Sequence, residues 1–376
     1  MGLMMFQKII VVLVFLKIFI VDIHAFHIDN TQTKPRNNAI LHNNIAEFFR
    51  PVAIEIDQEK VLTNPGALLH AAKDSLRYIE QHEKNRPEVI VPAHFESILP
   101  LHDVKKTLRY IIQLIQEDKE KGVFRILDPQ FLEQHFKFIA WLPDQETAQK
   151  NNITLPGQRF LRLTNYAVFS VEGSKTKTKH NNCALYEVKN HAIVKKFTKQ
   201  NVMAGALEKN QYKDKVKPLA WISRNAFEDA LMQGTVLVNF GDNSYKIFNV
   251  HLNNGIAYEK SKPVSLQKRY WFFRELKHST SNVESFQKKI RRRKGVIFAG
   301  DIHNIGTGKL IALKYQNPAT GKKEIRLGVL ADTGSAFVNN LYQLDLFAGL
   351  FTSRSEFNQH MKQVPAFTHA YLLSKK

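Results

Sequence analysis

The apolar positions of the chain follow two regimes that meet near Arg159. Before it they recur at helical spacing. Leu68, Leu69, Ala72, Leu76 and Ile79 form one stripe, entered through Asn64 as a cap and Pro65 as the first helical residue. Val104, Leu108, Ile111, Ile112 and Ile115 form a second, with Asp103 expected to cap it and Gly122 to stop it. Both stripes read as packing faces, and neither is assigned any chemistry. After Arg159 the period shortens to alternation, and the chain reads mainly as strand and turn. Two hairpins are predicted: one flanks Gly241-Asp242-Asn243, between Thr235–Asn239 and residues 244–250. The other flanks Asn317-Pro318-Ala319-Thr320-Gly321, between residues 310–315 and 324–330. Several short strands at such spacing point to barrels or sandwiches rather than a parallel sheet.

The first 25 residues break this pattern. Lys8 precedes an apolar run over residues 9–16 that resumes at 18–21, with Lys17 interrupting it, Asp22 ending it, and Ile23-His24-Ala25 preceding Phe26. The run falls short of the roughly 20 apolar residues a membrane span needs, so a cleaved secretory signal is expected. A polar, Asn-rich lead-in follows. The only cysteine, Cys183, excludes an internal disulfide and stands too far from the cleavage site to carry an N-terminal lipid. With 376 residues, 44% hydrophobic, the chain is long enough for one large or two modest domains whose core needs no staple.

Charge adds a partner class. Lys and Arg number 54 against 34 Asp and Glu, a net charge of +20, which favours a polyanion. Nucleic acid is the first candidate raised by Lys288-Lys289-Ile290-Arg291-Arg292-Arg293-Lys294. In an exported chain such a run reads as a solvated loop, and no nucleic-acid partner is expected. His251, His278 and His303 lack metal-ligand spacing, Gly306-Thr307-Gly308 is too short for a phosphate loop, and neither metal nor cofactor is expected.

Three aspartates stand at strand ends or inside apolar runs: Asp301 after Val296-Ile297-Phe298-Ala299-Gly300, Asp332 after Leu330-Ala331, and Asp345 within Leu344-Asp345-Leu346-Phe347. Burial there raises a carboxyl pKa and lets the acid donate a proton near neutrality. Capping a turn by accepting backbone N–H groups is an equal alternative for each. Gly334 is expected to turn the backbone tightly beside Asp332.

Asp332-Thr333-Gly334-Ser335-Ala336 followed by Asp345-Leu346-Phe347-Ala348-Gly349 resembles the signature of the three-aspartate domain, with Phe298-Ala299-Gly300-Asp301 as its first aspartate. Further blocks are similar, in order, to the membrane-bound lytic murein transglycosylase A family. They are Leu163-Thr164-Asn165-Tyr166-Ala167-Val168-Phe169, Gly173-Ser174, Ala184-Leu185-Tyr186, Gly205-Ala206-Leu207, Pro218-Leu219-Ala220-Trp221, Gln233-Gly234, Asn254-Gly255 with Tyr258, and Tyr270-Trp271-Phe272-Phe273-Arg274-Glu275. The resemblance covers residues 163–349. The chain departs from the family pattern in Ser335, where the family has a second glycine, and in a longer interval from Asp332 to Asp345.

The resemblance implies a mainly β fold with N-terminal helices: a double-psi β-barrel domain with a second barrel-like β domain inserted, and a groove between them. The implied boundaries are a signal peptide at 1–25, a helical segment joining the barrel at 26–158, an inserted substrate-binding domain at 159–268 and the three-aspartate barrel domain at 269–376. It implies Asp345 as the catalytic acid with Asp332 and Asp301 beside it, Asp332 raising the pKa of Asp345 by like charge. Tyr166, Gln233, Gly234, Asn254, Tyr258, Gly334 and Ser335 would bind substrate. The implied activity is cleavage of peptidoglycan glycan strands with formation of a 1,6-anhydromuramyl end. The implied setting is the periplasm of a Gram-negative bacterium, as a monomer without lipid anchor and at most in peripheral contact with the outer membrane. A catalytically impaired peptidoglycan-binding protein, a lysozyme-like hydrolase and a metal site built from the three aspartates remain as alternatives.

Overall fold

The computed structural model describes residues 44–376 apart from 57–58, 242–243, 260–261 and 277–282. The expected signal peptide and part of the first hairpin turn lie outside the described residues. Asn64 accepts from the Ala67 amide and Pro65 opens helix α1, Pro65–His82. Helix α2, Leu101–Lys121, ends at Gly122 in the left-handed conformation. Asp103 is not its cap: the helix begins two residues earlier, after Pro100, and Asp103 stands in the first turn, where its charge still opposes the helix dipole. Leu68, Ala71, Ala72 and Ile79 of α1, with Leu108, Ile111 and Ile115 of α2, are buried in the largest hydrophobic cluster.

That cluster fills a circuit of strands. In chain order the strands are β1 (Phe49–Val52), β2 (Lys60–Val61), β3 (Phe136–Trp141), β4 (Leu161–Ser174), β5 (Cys183–Val188), β6 (Val216–Ile222) and β7 (Thr235–Asn239). They continue as β8 (Tyr245–Asn253), β9 (Trp271–Glu275), β10 (Ile297–Ala299), β11 (Leu310–Gln316), β12 (Lys323–Asp332), β13 (Gln343–Phe351) and β14 (Phe367–Lys375). Pairing runs β14, β11, β12, β10, β13, β4 and returns to β14, so six strands close on one another. The contacts β10–β12 and β13–β4 are parallel and the rest antiparallel. β3 adds to β14, β1 to β3 and β2 to β12, which brings the N-terminal segment into the same sheet.

The second unit grows from the far half of β4. Residues 169–172 pair with β7, Gly173 and Ser174 with β6, and β7–β8–β9 and β5–β6 continue from there. This unit has its own cluster, with Phe227, Phe248, Tyr270, Phe272 and Phe273 fully buried. Both predicted hairpins form, as β7–β8 and β11–β12. Helices also fall where mainly strand and turn was expected: α3 (Arg224–Gln233), α4 (Val283–Arg291) and α5 (Arg354–Met361), with the shorter Lys199–Met203 and Ile302–Ile305. Helix α4 carries the first half of the basic run, Lys288 to Arg291, so that part is not a loop, whereas Arg292, Arg293 and Lys294 lie in the turn that follows; Phe286 and Ile290, four residues apart, are buried under the helix's charged face. Ala167, Phe169, Ala348, Phe351 and Phe357 form a small cluster where β4 passes from one unit to the other. Arg354 of α5 also pairs with Asp229 of α3 there.

Candidate active site

β13 and β4 run parallel with Gln343 beside Arg162, Asp345 beside Thr164 and Phe347 beside Tyr166. Alternate residues of a strand share a face and register partners point to the same side. These six side chains therefore form one patch of two columns. On its other flank Asp345 is paired with Ala299 of β10, and Ala299 with Asp332 of β12. Thr164, Asp345, Ala299 and Asp332 thus make a row across four strands, with alanine between the two acids. The Tyr166 ring packs on Phe347 at 5.1 Å between centroids, and its hydroxyl donates to Asp332 Oδ2 at 2.7 Å.

The three aspartates sit in different surroundings. Asp301 is fully buried. Its Oδ1 accepts from the Asn304 amide, capping the turn Ile302–Ile305, and its Oδ2 accepts from Asn304 Nδ2 at 2.8 Å and from the Asn340 amide at 2.9 Å. Asp301 thereby ties the turn Ile302–Ile305 to the longer loop between Asp332 and Asp345. Asp332 is 1% exposed and accepts from Tyr166 and from its own neighbour, the Thr333 amide, at 2.8 Å. Asp345 is half-buried and accepts from Gln343 Nε2 at 3.0 Å.

Burial pushes the Asp345 carboxyl up to about 6, against the hydrogen bond from Gln343 and the charge of Arg162. Asp332 adds to the rise but is the least of these influences, so burial, and not like charge, is the main cause. The Tyr166 hydroxyl is held well above its usual range by burial and then by Asp332.

The remaining expected site residues divide. Gln233 Oε1 accepts from the Ala167 amide at 2.9 Å, which fixes the side chain one residue from Tyr166. Gly234 ends α3 with φ 78°, a conformation that favours glycine, and its carbonyl accepts from Val250. Gly334 does not make the turn expected of it. It is extended, at φ −159°, and the left-handed residue of that loop is Asn339, at φ 54°. Ser335 opens the helical turn Ser335–Phe337. Asn254 is 3% exposed and occupied by its own loop: it donates to the Phe197 and Lys268 carbonyls and accepts from Ile256 and Tyr270. Tyr258 is exposed on the same loop. Neither makes a hydrogen bond or ring contact with Asp345, Asp332 or Tyr166. Thr164, Gln343 and Arg162 were missed, although polar residues at every second position of otherwise apolar strands were the available signal. A surface hollow of about 350 Å³ beside Leu76, Arg109 and Ile112 contains none of these residues. Among the described residues no three His, Cys, Asp or Glu side chains are placed to hold a metal ion.

No protein-family model and no curated protein matches the chain. Solved structures do. A crystal structure of E. coli MltA with bound chitohexaose matches with a TM-score of 0.58 at 15% identity, over 87% of this chain and 94% of that one. This chain has the MltA fold. MltA from Neisseria gonorrhoeae matches at 0.52, and the membrane-bound lytic murein transglycosylase from Agrobacterium tumefaciens at 0.51. Each is 14% identical and covers 87% of this chain and 97% of its own. The MltA fold is thus shared over nearly the whole described chain, including both units. Among the described residues no helix is long and apolar enough to cross a membrane.

Proposed function

We propose that the protein is a lytic murein transglycosylase, cleaving the β-1,4 bond between N-acetylmuramic acid and N-acetylglucosamine and leaving a 1,6-anhydromuramyl end. The observation that carries this reading is the inequality of the three acids. Asp301 and Asp332 are sealed and hydrogen-bonded through both oxygens, whereas Asp345 is half-buried, accepts from Gln343 on one oxygen and has its pKa pushed up to about 6. Ordinary glycoside hydrolysis needs a second carboxyl free to act as nucleophile or to activate water. A transglycosylase needs one. Asp345 protonates the bridging oxygen as the C1–O bond breaks. It then accepts the proton of the muramyl C6 hydroxyl as that oxygen closes onto C1, an internal attack with a high effective concentration.

Tyr166 and Gln233 would line the glycan path, with Gly234 holding the end of α3 beside them. Asn254, Tyr258, Gly334 and Ser335 are retained in this reading only as groups near the path. The six-strand circuit would be the double-psi β-barrel, the unit beyond β4 the inserted domain, and the groove between them the binding site. The chitohexaose held by E. coli MltA, a β-1,4-linked amino-sugar oligomer, supports a glycan ligand. Export to the periplasm belongs to the same proposal.

Digesting purified peptidoglycan and weighing the products tests it. Fragments one water lighter than hydrolytic ones are expected. Hydrated ends would make the protein a lysozyme-like hydrolase, and intact strands an inert binder.

A further inference from the structure

The patch contains a group with no assigned task, the Gln343 side chain. It is 8% exposed, and a buried amide must find partners. Its Nε2 donates to Thr164 Oγ1 at 2.9 Å and to Asp345 Oδ1 at 3.0 Å. The Thr164 hydroxyl spends its own proton on the Leu344 carbonyl, at 3.4 Å. Thr164 can then only accept from Gln343, which fixes the NH₂ end of the amide towards Asp345 and leaves no freedom in the direction of the chain. Both groups are presented by the β13–β4 register and not by a loop.

We propose that Gln343 is a positioning residue that holds Asp345 Oδ1 as an acceptor and so confines the catalytic proton to Oδ2. An oxygen already receiving an amide N–H is the poorer place for the acid's proton. Without that bond the carboxyl turns about a soft terminal torsion and the proton is shared between two oxygens, one of them misdirected. The same amide stabilises the charged form, which Asp345 needs when it accepts the C6 hydroxyl proton. The charged and titratable groups facing Asp345 are Arg162 and Tyr166 of β4 and Asp332 of β12; β10 contributes only Ala299. This inference rests on Asp345 being the acid of the proposed reaction.

Gln343→Met keeps the bulk and removes the donor. With wall glycan as substrate, kcat is expected to fall about tenfold with KM within twofold. The alkaline limb of kcat/KM should move upward by about one pH unit, because a lost hydrogen bond to the carboxylate raises the pKa. Gln343→His, which restores an N–H donor, is expected to recover part of the rate and return the limb. Thr164→Val, which frees the amide, should shift the limb in the same direction and serves if Gln343→Met does not fold. A rate loss with an unmoved limb would reduce Gln343 to a packing residue and overturn the proposal. Titrating the Asp345 carboxyl carbon by NMR in the wild type and Gln343→Met reads the same shift without turnover. A wild type that releases no fragments but whose Asp345 titration moves in Gln343→Met would sink the enzymatic reading and leave the contact standing. Identical titrations would overturn the contact whatever the enzyme does.

Discussion

Two buried ionisable groups, at different places in the sheet, have been pushed towards neutrality by the same force. Asp345 lies on the β13–β4 face with a pKa near 6. Lys309, at the start of the strand region after Gly306-Thr307-Gly308, is fully enclosed, and burial lowers its ammonium to about 7. The surroundings differ in what they leave open. Lys309 Nζ donates to the Ile90 and Thr307 carbonyls at 3.1 and 3.3 Å and stands 5.6 Å from the centre of the Phe95 ring. A Cβ on Gly306 would come within 2.4 Å of both that nitrogen and the Ile90 oxygen, so the pocket is closed around the amine. Asp345 keeps part of its surface. A displaced pKa marks desolvation; only with access to a second molecule does it mark chemistry.

The contrast is broken most severely at Asp345. Asp345→Asn is expected to lower kcat/KM on wall glycan by at least about a thousandfold, within the span of general acid catalysis, with little change in Tm. Activity retained within tenfold would remove Asp345 from the reaction.

Asp301→Ala tests the sealed acid on the same sheet. It strips the partner from the Asn304 and Asn340 amides and should cost about 3 kcal/mol of stability in urea unfolding. The folded fraction should remain active. A larger loss of turnover than of stability would return Asp301 to the catalytic set.

Lys309→Met gives the gentlest effect and the sharpest sign. In the folded protein Lys309 is neutral above about pH 7, whereas unfolded it stays protonated to about 10.4. Its contribution to stability is therefore fully present above the unfolded value and lost as pH falls through the folded one. The wild type should gain stability over the variant from pH 7 to 10, read as a difference in urea midpoints. A pH-independent difference would mean that the amine stays charged inside.

Much of the scaffold was legible because its signals are local. Asn64 with Pro65 begins α1, and Gly122, with no Cβ to clash at positive φ, ends α2. Both hairpins announced themselves through their turn residues. Asp103 misled because Pro100 already serves as the boundary and the apolar stripe starts at Leu101. The short helix α3 was hidden by strands on both sides, although Ser223 accepting from the Ala226 amide is an ordinary start signal. The site was legible in its acids but not in their inequality. Which aspartate is sealed depends on Tyr166 and Asn340, which the chain brings in from 166 residues before Asp332 and 39 after Asp301. Gln343 was passed over since its role exists only across the register with Thr164.

β4 serves both units as one unbroken fourteen-residue strand. Because side chains along it alternate with a period of two, the units are locked in phase. Deleting a single residue between Tyr166 and Phe169 would invert one half relative to the other. Either Thr164 and Tyr166 would turn away from the acids, or the apolar set that meets β7 would turn to water. A two-residue change in its length would leave both faces in place, whereas a single-residue change would need a bulge to absorb it, such as the one β13 carries opposite this point between Phe347 and Gly349.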